Sequence, residues 1–366
     1  MKTLLLTLTL VLVPALVAAD AAKDFPKPDA PPRAIKQEPP VYPRFALAAA
    51  VIGNVTLDFV VDREGNVESV HVAESNNPFF ERPAMDAVLK WKFTPAMKAG
   101  KPVKTRARIT IPFRLDLPPR LAKEPRPLWQ IDPPRDWSKV PEALRWQVPP
   151  EPVRTLMAAY PFEAALAGKE GKATISYLID RDGRVVAVKV REATEPEFGA
   201  AVVAMIDGWR FKAARKTDGS ASYALVNLTR EFRVDDRGDV PLSTSALWIL
   251  GRLKKNKLVC ARAEELDAPL KPLSQRPPIY PSVLREAGAD GEATIEFYVD
   301  ERGDAQLPRV VAATAPAFGY AAAQAVATWR FTVPKKDGKP VIARAQQQVK
   351  FNLKDRPAPL PAEFVP

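Results

Sequence analysis

The 366-residue chain holds one cysteine, Cys260, and one histidine, His71. A single cysteine excludes any disulfide within the chain, so its folds must be held by packing. Cys260 is expected to be a thiol tucked against a helix, with pairing between chains as the other outcome. One histidine without a cysteine partner excludes the usual zinc sets. It falls between Val70 and Val72 in an alternating stretch and is expected at the surface. No Gly-x-Ser-x-Gly, Walker loop or paired-cysteine motif occurs, which leaves nucleophilic, nucleotide and thiol-redox chemistry without a signature. The expectation is a non-enzyme with no cofactor, no metal and no small-molecule substrate. Past residue 19 no apolar run approaches the roughly 20 residues that span a bilayer. Acidic charge is in deficit: 54 Lys and Arg stand against 43 Asp and Glu, a net charge of +11. Such a balance favours anionic partners, although interspersed charges also make an ordinary solvated surface. Nucleic acid is not expected, because no aromatic residues interleave with the basic ones as a binding surface.

The N-terminus reads MKTLLLTLTLVLVPALVAAD. Lys2 supplies a positive start, Leu4 to Val13 an apolar core, and Val17-Ala18-Ala19 small residues where a secretory peptidase cuts. Residues 1–19 are therefore expected to be a cleavable signal peptide, with an uncleaved anchor as the alternative.

What is abundant is repetition. Tyr-Pro occurs at Tyr42, Tyr160 and Tyr280. Eleven residues on stands Gly53, Gly171 or Gly291, and twelve further Gly65, Gly183 or Gly303. Twenty-six further come Trp91, Trp209 and Trp329, each followed after one basic residue by Phe93, Phe211 or Phe331. Identical intervals in three copies mean one domain present three times.

The intervals predict its fold. Val55, Leu57, Phe59 and Val61 alternate after the first glycine, as do Ala173 to Ile179 and Ala293 to Val299, which predicts half-buried strands. Asp-x-x-Gly then opens with Asp62, Asp180 or Asp300 and closes on a left-handed glycine; the turn accounts for these aspartates without acid–base chemistry. A second strand follows, which Pro308 is expected to bend or shorten in copy three. Pro78, Pro196 and Pro316 precede a helix whose apolar stripe ends at the tryptophan. A last strand runs from Thr105 to Leu115, Tyr223 to Val234 and Arg344 to Leu353. The fold class is thus α+β: three tandem small domains, each an antiparallel sheet with a helix packed on one face, in the order β-β-α-β. The expected division is signal peptide 1–19, proline-rich lead 20–40, domain one 41–116 and a Pro/Trp-rich linker 117–152. Domain two is 153–235, a linker with a helix 236–277, domain three 278–354 and a tail 355–366. The stretch Thr244 to Asp267 is expected to be that linker helix.

In copy one's last strand, Arg106, Arg108, Thr110, Pro112 and Arg114 share the face opposite the apolar residues. Proline in a strand belongs at an edge. Arg106, Arg108, Thr110 and Arg114 are the candidate partner-binding residues. Charged edges also keep sheets from pairing with one another, and the sequence leaves both readings open.

Tyr-Pro, the glycine before an alternating strand, Asp-x-x-Gly, and Trp-Lys/Arg-Phe after a helix together resemble the C-terminal domain of the TonB family. Copy one is most similar, through Trp91-Lys92-Phe93-Thr94-Pro95 and Gly100-Lys101-Pro102-Val103. The resemblance implies a protein of the Gram-negative periplasm that grips the extended TonB box of outer-membrane receptors by adding it to a sheet edge. TonB-dependent outer-membrane receptors or other envelope proteins are the implied partners. The ExbB–ExbD motor is implied only if the N-terminus is an uncleaved anchor. The alternative is a structural array held to anionic cell-wall or lipid surfaces by the basic charge.

Overall fold

The structure, a computed structural model, describes residues 25, 27–43, 46, 51–114, 136–234, 239–285, 288 and 290–352. The expected signal peptide, the tail 355–366, Leu115 and Leu353 lie outside these. The chain divides into two compact units, residues 1–130 and 131–366. The first holds copy one; the second holds copies two and three together.

Each copy is built on the hairpin that the spacing predicts. Copy one pairs Gly53–Val61 with Val67–Ser75, and Thr105–Phe113 on the other side, all antiparallel. Copy two does so with Gly171–Ile179, Val185–Ala193 and Ala224–Arg233. Copy three uses Gly291–Val299, Ala305–Ala313 and Ala343–Phe351. The alternating residues Val55, Leu57, Phe59 and Val61 are fully buried, as are their counterparts in the other copies. The hairpin glycines are left-handed: φ is +82° at Gly65, +75° at Gly183 and +84° at Gly303. The aspartate closes each turn from its side chain; Asp62 Oδ1 accepts from the Glu64 and Asn66 N–H groups at 2.9 and 2.7 Å.

Pro308 does not shorten its strand. Residues Leu307 and Pro308 oppose the single residue Phe297, and Leu307 has φ +52°. The same bulge occurs in copy two at Ala187, φ +51°, which has no proline. A bulge absorbs the missing donor and bends the strand at unchanged length.

The helices are Glu81–Val88 after a 3₁₀ turn at Pro78–Phe80, Pro196–Asp207 and Pro316–Val326. Each presents a phenylalanine to a ring cluster made with Tyr-Pro and the last strand. Tyr42, Phe80 and Phe113 meet in copy one, with centroids 4.2–5.7 Å apart. Tyr160, Phe198 and Phe232 repeat it, as do Tyr280, Phe318 and Phe351. Such pairs add about 0.5–1.5 kcal/mol each beyond burial. They also explain the first glycine: a Cβ on Gly53, Gly171 or Gly291 would lie 2.7, 2.5 or 2.0 Å from the phenylalanine ring.

Trp91, Trp209 and Trp329 are buried, and each indole N–H donates to a backbone carbonyl 53 residues earlier: Glu38, Leu156 and Arg276, at 2.8, 3.1 and 2.8 Å. Those carbonyls follow short strands, Arg33–Lys36, Glu151–Arg154 and Pro272–Ser274, paired with the strands of Phe93, Phe211 and Phe331. These lead strands have no alternating apolar pattern and Arg33–Lys36 is wholly exposed, so nothing in their residues announces them. Copy two departs in its core at Arg230, which fills the place of Ile111 and Val349. Its guanidinium lies over the Trp209 ring at 5.8 Å, and burial pushes its pKa down to about 10.

Copies two and three pack helix against helix, and the clefts flanking this contact are lined by Ala200, Ala201 and Ala204 of one and Ala317, Tyr320, Ala321 and Gln324 of the other. The exchange is reciprocal. Buried Gln324 accepts from the Ala159 N–H at 2.9 Å and donates to the Met157 carbonyl at 2.7 Å, both ahead of Tyr160. From the other side, Asp207 Oδ2 accepts from the Ser282 N–H at 2.9 Å, just after Tyr280-Pro281. The Asp207 side chain is buried, with Oδ1 unbonded, and burial pushes its pKa up against the opposing charges of Arg285 and Arg210. An acid whose folded pKa lies above its unfolded value loses stability as pH rises from the unfolded pKa to the folded one. Asp207→Asn is therefore expected to raise the melting temperature at pH 7. The gain should shrink toward zero as pH falls below about 4, the unfolded carboxylate value. A gain that stays constant across that window would remove ionisation as its cause.

The linker helix spans Thr244–Leu253 only. Ser243 caps it, accepting from the Ala246 N–H at 3.0 Å, and it ends before Asn256, whose φ of +51° stops the turn. The expectation of a helix reaching Asp267 is corrected: the left-handed Asn256 ends it, with the Asn256 and Lys257 N–H groups bonding back to the Leu253 and Arg252 carbonyls at 3.0 and 2.9 Å. Cys260 is partly exposed and its thiol pKa is pushed up, by burial first.

Candidate functional site

The last strand of copy one, Thr105–Phe113, buries Ala107, Ile109, Ile111 and Phe113 beneath the helix. Thr105 is buried on that side too, and Arg106, Arg108, Thr110 and Pro112 lie on the open face. Arg108 forms two hydrogen bonds with Asp58, Nε to Oδ1 at 2.6 Å and Nη2 to Oδ2 at 2.7 Å. These bonds hold the Arg108 pKa above its ordinary value. Thr110 and Thr56 share a hydroxyl bond of 2.9 Å. Arg114 donates to the Gly53 carbonyl and to Asn54 Oδ1 at 3.0 and 2.9 Å. Arg106 lies with its guanidinium 5.8 Å from the Phe25 ring centroid. Three of the four predicted side chains thus tie this strand to the first strand of its own sheet. They brace the site.

His71 stands opposite Asp58, so His71, Asp58 and Arg108 form a row across three strands. By surface area His71 is exposed, as expected. Desolvation by the side chains crowded around it, then the charge of Arg106, nevertheless push its pKa down, against Asp58. Residue spacing within single strands cannot show this row, which needs the pairing register.

What the strand leaves open is its backbone. Among the described residues Thr105–Phe113 pairs with Gly53–Val61 alone. The other two copies show which groups face outward. In copy two the Glu231 N–H donates to Asp239 Oδ2 at 3.1 Å, and Phe232–Arg233 pairs in parallel with Val240–Pro241. In copy three the Arg344 N–H donates to the Ala261 carbonyl at 3.0 Å. The registers Gly53–Phe113, Gly171–Phe232 and Gly291–Phe351 equate Glu231 with Pro112 and Arg344 with Arg106. Alternate residues of a strand face the same way. The outward N–H groups of copy one are therefore those of Arg106, Arg108 and Thr110, and Pro112 contributes only a carbonyl. Copy two is covered at the end of this edge and copy three at its start. Each copy thus leaves three outward N–H groups uncovered among the described residues, and only in copy one does the strand meet no second partner at either end. No three His, Cys, Asp or Glu side chains among those residues gather as metal ligands.

Comparison with known proteins identifies the repeat. Residues 38–115, 157–234 and 276–353 each match the model of the Gram-negative bacterial TonB protein C-terminal. The chain is similar to Protein TonB of Pseudomonas aeruginosa, 32% identical over 83 residues, 22% of this chain and 24% of that protein. It is also similar to Protein TonB of Xanthomonas campestris pv. campestris, 42% identical over 79 residues, 21% of this chain and 35% of that one. The match thus spans about a third or less of these relatives. A solution NMR structure of the Pseudomonas aeruginosa TonB CTD aligns at 31% identity and TM-score 0.23, over 25% of this chain and 92% of that domain. With more than half of its residues matched in three successive copies, the chain belongs to the family of Gram-negative bacterial TonB protein C-terminal domains.

Proposed function

We propose that this chain binds an extended segment of an envelope protein by strand addition at the Arg106–Pro112 edge of copy one. In this reading the partner is the TonB box of an outer-membrane receptor, and the chain serves energy-coupled transport across the outer membrane without enzymatic activity. The observation that carries it is the uncovered backbone of that edge, with donors at Arg106, Arg108 and Thr110 held flat by the Asp58 and Thr56 contacts. Backbone pairing gives such a site its affinity, and neighbouring side chains its selectivity. The chain acts in the periplasm after removal of residues 1–19. Coupling to an ExbB–ExbD motor requires those residues to remain as an anchor; they lie outside the described structure. Among the described residues no helix is long and apolar enough to cross a membrane.

Thr110→Pro separates edge pairing from folding. The Thr110 N–H faces outward, so its loss leaves the native ladder intact, as Pro112 already does one step along. The variant is expected to melt as Thr110→Ala does, since both lose the Thr56 hydroxyl bond, and to bind a TonB-box peptide about tenfold or more weakly than Thr110→Ala, measured by calorimetric titration. Ile109→Pro removes a donor facing the first strand and is expected to destabilise copy one itself. Wild-type binding should survive 0.5 M salt, since backbone bonds are screened little. Equal peptide affinity in Thr110→Pro and Thr110→Ala would show that pairing does not occur at this edge.

A further inference from the structure

The linker helix Thr244–Leu253 has two faces of different character. Ala246, Ile249 and Leu250 are buried where it packs on the helix Phe162–Ala167 of copy two and the strand Ala305–Ala313 of copy three. Thr244, Leu247, Trp248, Gly251, Arg252 and Lys255 follow one another along the exposed side at helical spacing. Trp248 is 46% exposed, with the Arg252 guanidinium 4.2 Å from its ring centroid. The turn beyond the helix adds Lys254 and Lys257, and then Val259 at 85% exposure. Arg252, Lys254, Lys255 and Lys257 give this stretch four positive charges with no acidic residue between Thr244 and Arg262. None of the four meets a carboxylate among the described residues.

The geometry points to this surface as a docking site for an anionic lipid bilayer. The charge alone would suit any polyanion. The apolar groups decide between them: Leu247, Trp248 and Val259 stand in water beside the cations, and a hydrated polymer offers nothing to bury them. A bilayer interface does, since indole rings settle at headgroup depth and lysines reach the phosphates. The buried face fixes the helix to the paired copies, so the exposed stripe is presented without being ordered on contact. This inference stands apart from strand addition and uses none of the copy-one edge. It gives part of the +11 charge a place and a partner.

The test reads Trp248 itself, because the apolar run at residues 4–13 would carry the full chain to vesicles whatever this helix does. The full chain is mixed with phosphatidylglycerol vesicles brominated on their acyl chains, and the emission quenched in wild type is compared with that in Trp248→Phe. Quenching that depends on Trp248 is expected, and it should be absent with brominated phosphatidylcholine. Each lysine near an anionic surface strengthens binding about fivefold, so reversing Lys254, Lys255 and Lys257 to glutamate should weaken this association roughly a hundredfold or more. All these residues are exposed, and an unchanged melting temperature verifies each variant. The assignment is overturned if Trp248→Phe quenches as wild type does, or if the triple variant retains Trp248-dependent quenching. It is equally overturned if dextran sulfate binds this stretch while phosphatidylglycerol does not.

Discussion

Replacing Gly183 by alanine is expected to cost copy two about 3 kcal/mol or more and to lower the melting temperature of the paired copies two and three. Two effects add. Gly183 has φ +75°, where a Cβ costs roughly 1–2 kcal/mol by itself. That Cβ would also lie 1.7 Å from the carbonyl oxygen of Phe211, and backbone cannot swing aside as a side chain can. Any retreat breaks the bond from the Phe211 N–H to the Gly183 carbonyl, 2.9 Å long, which docks the Trp-Arg-Phe strand on the hairpin. Gly219→Ala isolates the conformational part, since Gly219 has φ +80° and nothing within 4 Å of a new Cβ. Urea unfolding of both variants should show the Gly183 change costing clearly more. Equal costs would mean that close approach plays no part.

Ala204→Asp is expected to part copies two and three. Ala204 is buried at the seam, on the helix face turned to copy three. A carboxylate there has no partner, and an uncompensated buried charge costs about 3–5 kcal/mol. Copy one carries this same residue type: Asp86 occupies the corresponding position and Arg82 that of Ala200, and they form an exposed ion pair at 3.4 Å. The substitution therefore places at the seam a residue that copy one carries in an exposed ion pair on its helix. Calorimetry should show the single transition of the paired copies split in two, and limited proteolysis should cut between residues 235 and 277. One unsplit transition would mean that other contacts hold the pair.

This difference among the helices is present in the residues. The stripe from Phe198 to Trp209 accounts for one face; Ala200, Ala201 and Ala204 make a second face apolar too. A helix apolar on both sides is covered on both sides. Copy one has Arg82, Pro83 and Asp86 there, so one face suffices. The buried Asp207 and Gln324 were hidden for the opposite reason. Polar side chains look like solvent-facing ones until the backbone groups that they bond, far along the chain, are in place.

At the candidate site, the edge position of Thr105–Phe113 was legible from Pro112 and from alternation. The role of its arginines was not. Residues of one strand cannot reveal that Asp58 and Thr56 lie across from Arg108 and Thr110, because register is a property of two strands.

By itself the sequence determined the threefold repeat, the hairpin, its left-handed glycines and the aromatic phrase. Each depends on spacing within a few dozen residues and on the local sterics of glycine, proline and alternating apolar groups. Tertiary structure decided three other matters: that a lead strand completes each repeat beneath its tryptophan, that two of the repeats pack helix against helix, and which sheet edge is uncovered among the described residues. These depend on groups 50 to 170 residues apart meeting in space. Their free energy comes from burial and from paired backbone groups, which no local pattern encodes.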